Sequence, residues 1–297
     1  LTGLREKDLK LTFKDVDLDA LTPEMDDLSM AGKLNGQVAL RQENEIYQPT
    51  SSLVIQDLVV NDNQLGRLNI DIEGDDSFRS FDVSSTLVNE NVESFNADGN
   101  ISIVDQQTLA DIDLRFNRMN LGILEFLGGE VLKDIHGFAS GTARIDGNFK
   151  SPEINGRLFL DEAGMTIPYL NVNYNLENRS VVDVTENAFI VRSARMTDAK
   201  YKTTGLLEGR IRHNSFTDWA LDLEISSNRL LALDTQDSED AIYYGVAFID
   251  GRASISGPTD ELLIKVDARS EKGTSVKIPI SDAVASGTSS YIHLLTP

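Results

Sequence analysis

Hydrophobic and polar residues alternate along most of the chain. Leu68, Ile70 and Ile72, for example, are separated by Asn69 and Asp71. Successive side chains of a β-strand point to opposite faces, so this period of two places one face against a core and the other in water. The apolar members of further such runs are Ile112, Leu114 and Phe116; Val172, Tyr174 and Leu176; Trp219, Leu221, Leu223 and Ile225; and Leu262, Ile264 and Val266. The pattern predicts an antiparallel sheet of many short strands with one wetted face.

Glycines interrupt these runs at short intervals. Where glycine follows an acidic or polar residue, a hairpin turn is predicted, because glycine adopts the positive φ that tight turns require. The predicted turns lie at Gly74, Gly99, Gly147, Gly251 and Gly257, with Gly156 as a further candidate. Gly137 and Gly141 lie inside a run instead. A glycine there lets a strand bend, so we expect these two to mark places where the sheet folds.

Helical signals are sparse. Residues 120–134 carry apolar side chains at helical spacing after Asn120, which is a suitable N-cap. Gly128-Gly129 weakens this segment, so it predicts a short or broken helix. Residues 18–28 predict a second, weaker helix through the sequence Thr22-Pro23-Glu24.

The two helical segments belong to an internal repeat. FKDVDLDAL at 13–21 resembles FNRMNLGIL at 116–124, and the glycine pair 32 and 36 recurs at 137 and 141. A looser third copy combines 223–233 with 250–258. Repeats of this length indicate stacked units that bury a continuous surface. We therefore predict three β units, at 1–110, 111–218 and 219–297, that form one elongated array.

Composition excludes several functional classes. The net charge of −21 disfavours binding to nucleic acid phosphates and docking on anionic lipid through a basic patch. The absence of cysteine excludes disulfides, thiolate zinc sites and cysteine nucleophiles. No window approaches the roughly 20 apolar residues of a membrane helix. The chain begins without Met or an apolar signal core, so we expect it to be part of a longer protein.

Residues that could carry out bond chemistry form no recognisable pattern. The three histidines lack metal-ligand spacing, and no nucleophile elbow, P-loop or dinucleotide motif is present. The acidic clusters at Asp75-Asp76 and at Asp237, Glu239 and Asp240 do not follow the order of a calcium-binding loop. The single Trp and low aromatic content disfavour a sugar site. We predict no catalytic residue, no metal site and no cofactor.

The apolar face of the sheet remains as the functional candidate. It could be covered by a second sheet in a sandwich, by closure into a barrel, or by curling into a long trough. An open trough would be unstable in water, at about 25 cal/mol per Å² of apolar surface, unless an apolar ligand or partner fills it. Acyl chains meet that requirement, since they need a continuous apolar lining and no specific polar contact. Periodicity alone does not choose between the sandwich and the trough.

An ordered series of motifs resembles a known family. From Gly137 to Leu160 the chain reads G-x-x-x-G-x-x-x-I-x-G-x-x-x-x-P-x-I-x-G-x-L-x-L, followed by MTIPYLNVNYNLEN at 165–178. Three further segments follow in order, at 196–225, 243–258 and 273–281. The series resembles the C-terminal repeat region of TamB-like proteins of the AsmA superfamily, in the form found in Bacteroidetes. The resemblance is close from about 110 to 281 and weaker before 110.

This resemblance implies both a fold and a function. It implies an all-β, curled, taco-like sheet with an apolar groove, in the periplasm of a Gram-negative cell envelope. The full-length protein would be anchored in the inner membrane and would reach the outer membrane. It would carry phospholipids between the membranes, or assist outer-membrane protein assembly with a TamA- or BamA-type barrel through parts absent from this chain. A closed β-sandwich adhesin or hydrolase is a lesser alternative.

On this interpretation the partners are phospholipid acyl chains, with no role for nucleic acid. The lining of the groove would be the thirteen apolar residues of the four runs from Ile112 to Val266 named above. Replacing Leu221 and Leu223 with Asp would then leave the fold largely intact and stop lipid passage.

Overall fold

The described part of the chain is almost entirely β-sheet. The computed structural model describes residues 6–21, 29–43, 46–60, 62–128, 131–214, 217–237 and 243–279. Its strands are β1 (Glu6–Asp17), β2 (Met30–Glu43), β3 (Ile46–Val60), β4 (Asn63–Gly74), β5 (Ser80–Asn89), β6 (Val92–Val104), β7 (Gln107–Asn120), β8 (Lys133–Asn148), β9 (Glu153–Ile167), β10 (Val172–Leu176), β11 (Ser180–Thr185), β12 (Ala188–Asp198), β13 (Thr204–Asn214), β14 (Thr217–Thr235), β15 (Tyr244–Pro258), β16 (Leu263–Ser270) and β17 (Ser275–Lys277).

All 17 strands of the described residues belong to one antiparallel sheet. Each strand from β1 to β9 pairs with the next strand along the chain. β10 and β11 together act as one interrupted strand, since both lie between β9 and β12. β16 and β17 likewise share the outer edge of β15. The prediction of an all-β antiparallel fold is confirmed.

The sheet curls so that strands far apart in it meet. β12 and β13 separate β10 from β14, yet the Tyr174 hydroxyl of β10 donates a hydrogen bond of 2.6 Å to the Leu231 carbonyl of β14. Phe126, which lies between β7 and β8, contacts the ring of Trp219 on β14 at a centroid distance of 5.8 Å. These contacts span the concave face, which confirms the curled form of the sheet.

The helix predicted within 120–134 is present, but as a 3₁₀ helix at Leu121–Gly128. Asn120 caps it as predicted, since its Oδ1 accepts a hydrogen bond of 2.8 Å from the Gly122 amide. A second 3₁₀ helix, Pro168–Leu170, connects β9 to β10. Of the weaker prediction at 18–28, residues 22–28 lie outside the described residues.

Several glycines predicted to form turns lie inside strands instead. Gly74, Gly147 and Gly257 lie at or next to strand ends, but Gly99 in β6, Gly156 in β9 and Gly251 in β15 do not form hairpin turns. For Gly99, Gly156 and Gly251 the reason is close approach of neighbouring strands: a Cβ on Gly99, for example, would lie 2.1 Å from the carbonyl oxygen of Asp111. Glycine is needed there for space across the ladder and not for chain reversal.

The repeat seen in the sequence has a counterpart in the backbone. Phe13 of β1 lies opposite Gly36 of β2, and Phe116 of β7 lies opposite Gly141 of β8. Both pairs are followed by a register shift, and the residue two positions after each Phe has a positive φ. Such bulges bend a strand, as expected for the glycines that accompany them. The boundaries of the three units remain predictions.

Candidate functional site

A row of apolar residues crosses the concave face from one side of the sheet to the other. Strand register places one member of each contributing strand directly opposite the next. This apolar row consists of Val16, Leu34, Ile55, Leu68, Leu87, Phe95, Phe116, Gly141, Leu158, Val182, Val191, Gly209, Leu223, Ile255 and Ile264. Fourteen strand-to-strand steps of about 4.8 Å give it a length on the order of 65 Å along the sheet. No charged residue belongs to it.

The concave face is open beside this row at one end of the sheet and filled at the other. From β1 to β7, a parallel line that includes Val38, Ile72, Val83 and Ile112 is only half-buried or is exposed. From β8 to β15, most inward-facing apolar side chains are buried in one large cluster. A smaller cluster on the same face of the first strands includes the buried row members Leu34, Ile55 and Leu87. The same sheet therefore forms a trough in its first half and a packed core in its second.

The predicted lining residues fall on this concave face. Val172, Tyr174, Leu221, Leu223 and Ile225 are buried members of the large cluster. Phe116, Leu176, Leu262 and Ile264 are half-buried and pack against it. The side chains of Ile112 and Leu114 are half-buried on β7, and Trp219 is buried at the other end of β14. Val266 lies opposite Ala253 but is 58% exposed. Their role in lining a lipid path remains a proposal.

One expectation from the sequence is wrong. Leu221 and Leu223 are 1% and 6% exposed, so an Asp at either position would place a carboxylate in the packed core. Such a change would destabilise the fold and would not test lipid passage. The half-buried side chains of β7 are the appropriate positions for that test.

An aromatic cluster closes the filled part of the groove. The Trp219 ring contacts Phe126 edge-on, stacks on Phe189 at 6.2 Å and lies 5.0 Å from the His213 ring. His213 is buried, and burial lowers the pKa of its imidazole. A neutral imidazole is therefore favoured in the folded protein.

The folded protein should lose stability as the pH falls from about 7.5 to about 5.5, because the pKa of His213 in the folded state lies below its ordinary value of about 6.5. The unfolded chain then binds a proton that the folded chain resists. The stabilisation is fully present above that ordinary value and decreases below it. The melting temperature measured across this range by circular dichroism reports the effect.

His213→Phe is the matched control, and its melting temperature should change less over this pH range.

Asp183 and Asp198 affect stability in a separate, more acidic pH range. Hydrogen bonds from Arg157 and Arg192 lower the pKa of Asp183. Burial alone would raise the pKa of Asp198, but hydrogen bonds from Thr203 and nearby amides lower it. Stability from both carboxylates is lost only as the pH falls below about 4. If the melting temperature fell equally with pH in the wild type and in His213→Phe, His213 would be excluded as the cause.

The 3₁₀ helix Leu121–Gly128 covers a cavity within the filled part of the groove. The cavity has a volume of about 170 Å³. Leu121, Leu124 and Leu127 of the helix line one side, and residues of the curled sheet line the others. Sequence reasoning found the helix but not this position. The composition of the helix could have indicated this position, since a helix that is apolar nearly all round is usually buried.

The convex face carries paired charged side chains. Arg144 bridges Asp111 and Asp113 across β7 and β8, and Asp183 accepts hydrogen bonds from Arg157 and Arg192. Within the described ranges, no three His, Asp or Glu residues come together as metal ligands would. Over the same ranges, no helix has the length and apolarity needed to cross a bilayer.

The last third of the chain matches a known family. Residues 192–297 match the family model of the TamB C-terminal domain. This segment is TamB-like. The match covers 106 of 297 residues and begins within β12, so the resemblance noted before residue 192 lies outside it. Searches among curated proteins and among solved structures found no match.

The TamB family is a non-enzymatic family of transport and scaffold proteins of the cell envelope. The resemblance recognised in the ordered motifs is thereby confirmed at the level of the family, while the Bacteroidetes form remains a prediction. The part of the match that the structure describes contains the groove strands β13 and β14. The TamB-like segment and the filled part of the groove therefore overlap.

Proposed function

We propose that this TamB-like chain is a segment of a periplasmic bridge that carries phospholipids between the inner and outer membranes. The observation that carries the proposal is the apolar row, which crosses the sheet without a charged residue. Acyl chains would lie in the groove, and headgroups would remain in water at its open side. The full-length protein would be anchored in the inner membrane, and a TamA- or BamA-type barrel would be its partner at the outer membrane.

The groove would work without bond chemistry. Along a uniform apolar lining, each acyl carbon exchanges one apolar contact for another, so the free energy changes little with position. A lipid can then slide along the open part of the groove, over β1 to β7. A uniform lining favours neither direction, so the direction of transfer would be set by the membranes or partners at the two ends.

The scaffold alternative has less support. In it, the free edge of the sheet would pair with an unfolded outer-membrane strand. Among the described residues β1 pairs only with β2, so β1 offers such an edge. However, β1 carries Lys10 and Lys14 and a register shift between Phe13 and Val16. Lysines and bulges are devices that oppose edge pairing.

Leu114→Asp tests the proposal in the open part of the groove. Leu114 lies between Ala97 and Ala143 on the concave face, where its half-buried side chain would meet an acyl chain. A carboxylate there should lower the amount of co-purified phospholipid at least about tenfold, which corresponds to about 1.4 kcal/mol of lost binding free energy. Native mass spectrometry of the purified chain measures the bound lipid.

Thr142→Asp is the matched control, because it adds the same charge on the convex face of the adjacent strand. Thr142 lies between Arg115 and Arg157, which would accommodate the carboxylate. This variant should retain the lipid content of the wild type, and circular dichroism should show both variants folded. Absence of phospholipid from the wild-type chain after mild purification would contradict the proposal.

A further inference from the structure

The 3₁₀ helix Leu121–Gly128 occupies the place that an acyl chain would take. It lies on the concave face, where Phe126 contacts Trp219 and the leucines border the cavity. Its side chains are apolar apart from Glu125. The helix therefore makes the kind of contact with the sheet that a lipid tail would make, but from within the same chain.

Two polar contacts hold this helix in place. At its beginning, Nδ2 of Asn63 on β4 donates a hydrogen bond of 2.9 Å to the Gly122 carbonyl. Beyond its end, the Glu125 carboxylate accepts hydrogen bonds of 2.9 Å from the amides of Asp134 and Ile135. The first joins the helix to β4, and the second joins it to the first residues of β8.

The form of the helix suits it to movement. Runs of 3₁₀ helix longer than about four residues are uncommon because their hydrogen-bond geometry is poor. This one is eight residues long. It has Gly122 near its start and Gly128 at its end, and glycine allows wide backbone rotation.

The cavity beneath the helix is suited to an apolar ligand. Its volume is about 170 Å³, and its lining includes Leu158, Val191, Leu207 and Leu223. An apolar cavity of about 150 Å³ stays dry and takes up a molecule as large as benzene. The cavity therefore has room for the last few carbons of one acyl chain.

We propose that this cavity is a binding site for the end of a single acyl chain, and that the 3₁₀ helix is a cover that must lift before a chain enters. The inference rests on the proposed lipid function and adds a gate to it. A lipid in the open part of the groove, over β1 to β7, would reach the filled part only after the helix moves. The helix then controls passage between the two parts.

A reversible tether tests the cover. A Cβ built on Gly122 would lie 3.2 Å from Cγ of Asn63, and the φ of Gly122 is outside the left-handed region. Asn63→Cys with Gly122→Cys is therefore placed to form a disulfide. The chain has no other cysteine, so oxidation acts on this pair alone. The same variant kept reduced is the matched control.

The readout is the single tryptophan of the chain, Trp219, which touches the helix through Phe126. Phosphatidylethanolamine with brominated acyl chains, supplied in vesicles, quenches a tryptophan that its tails reach. We expect quenching in the wild type and in the reduced variant, and quenching at least about tenfold slower in the oxidised variant, since entry requires the lifted state. Glu125→Ala removes two hydrogen bonds to a carboxylate and should speed quenching about tenfold.

The outcomes separate this inference from the proposed function. Slow quenching in the oxidised variant, with lipid still bound to the open part by native mass spectrometry, supports both. Equal quenching in the oxidised and reduced variants overturns the cover and leaves lipid binding intact. A wild-type chain that neither binds phospholipid nor shows quenching overturns both.

Discussion

Leu221→Asp is expected to abolish cooperative folding of the second half of the sheet. Leu221 is 1% exposed and lies opposite Ile211 and Gly257 within the large apolar cluster. Removing a buried leucine side chain costs about 2–5 kcal/mol, and an unpaired carboxylate in an apolar core adds to that. The sum is comparable with the whole stability of a typical domain, about 5–15 kcal/mol. Thermal unfolding followed by circular dichroism should show no cooperative transition for this half.

Leu206→Asp makes the same change on the other face. Leu206 is 40% exposed on the adjacent strand and lies opposite Arg195 and Ser226. A surface substitution of this kind should alter the free energy of unfolding by about 0.5 kcal/mol or less. The two leucines thus separate burial from the chemical change itself. A Leu221→Asp protein that melts like the wild type would mean that the second half of the groove is open to water.

Gly141→Ala should lower the free energy of unfolding by about 3 kcal/mol, even though it adds only one methyl group. Gly141 has a φ of +153°, and a Cβ there would lie 2.1 Å from the carbonyl oxygen of Arg157 and 3.0 Å from Cα of Leu158. All the nearest atoms are backbone, so β8 and β9 would have to separate. The melting temperature should fall by roughly 6–12 °C for a unit of 150–250 residues.

Gly147→Ala provides the control on the same strand. Gly147 also has a positive φ, of +88°, but a Cβ there would have no atom within 4 Å. Its cost is then limited to backbone strain of about 1–2 kcal/mol. The difference between the two variants measures the cross-strand approach alone. If Gly141→Ala cost no more than Gly147→Ala, the close approach of Gly141 to Arg157 and Leu158 of β9 would not exist in solution.

The sequence was sufficient to predict which face of each strand is apolar. Leu221, Leu223 and Ile225 alternate with acidic or small residues, and all three are buried on one face. Alternation is a local property, because side-chain direction reverses at every residue of a strand. The pattern can therefore be recognised without knowing which strands pair. The family resemblance was equally readable, since it depends on the order of motifs.

Features that depend on partners were not readable from the sequence. Asp98-Gly99 looks like a turn, but the requirement on Gly99 comes from the Asp111 carbonyl of the next strand. A glycine that reverses the chain in a turn and a glycine that makes room for a neighbouring strand look alike in the sequence. The depth of a side chain in the groove is likewise not readable from the sequence. The side chain of Leu114 is half-buried and that of Leu221 is fully buried, although both occupy the same kind of alternating run. The difference arises from how far the sheet curls at each place.

The pairing of neighbouring strands from β1 to β9 also bears on how the chain folds. Each hairpin closes a short loop, so no strand in this region must wait for a distant partner. A hairpin forms in about 1–10 μs, whereas ribosomes add about 5–20 residues per second. Two strands alone are marginally stable, but a third with an apolar face secures them. Growth can then proceed strand by strand from whichever end of the chain becomes available first.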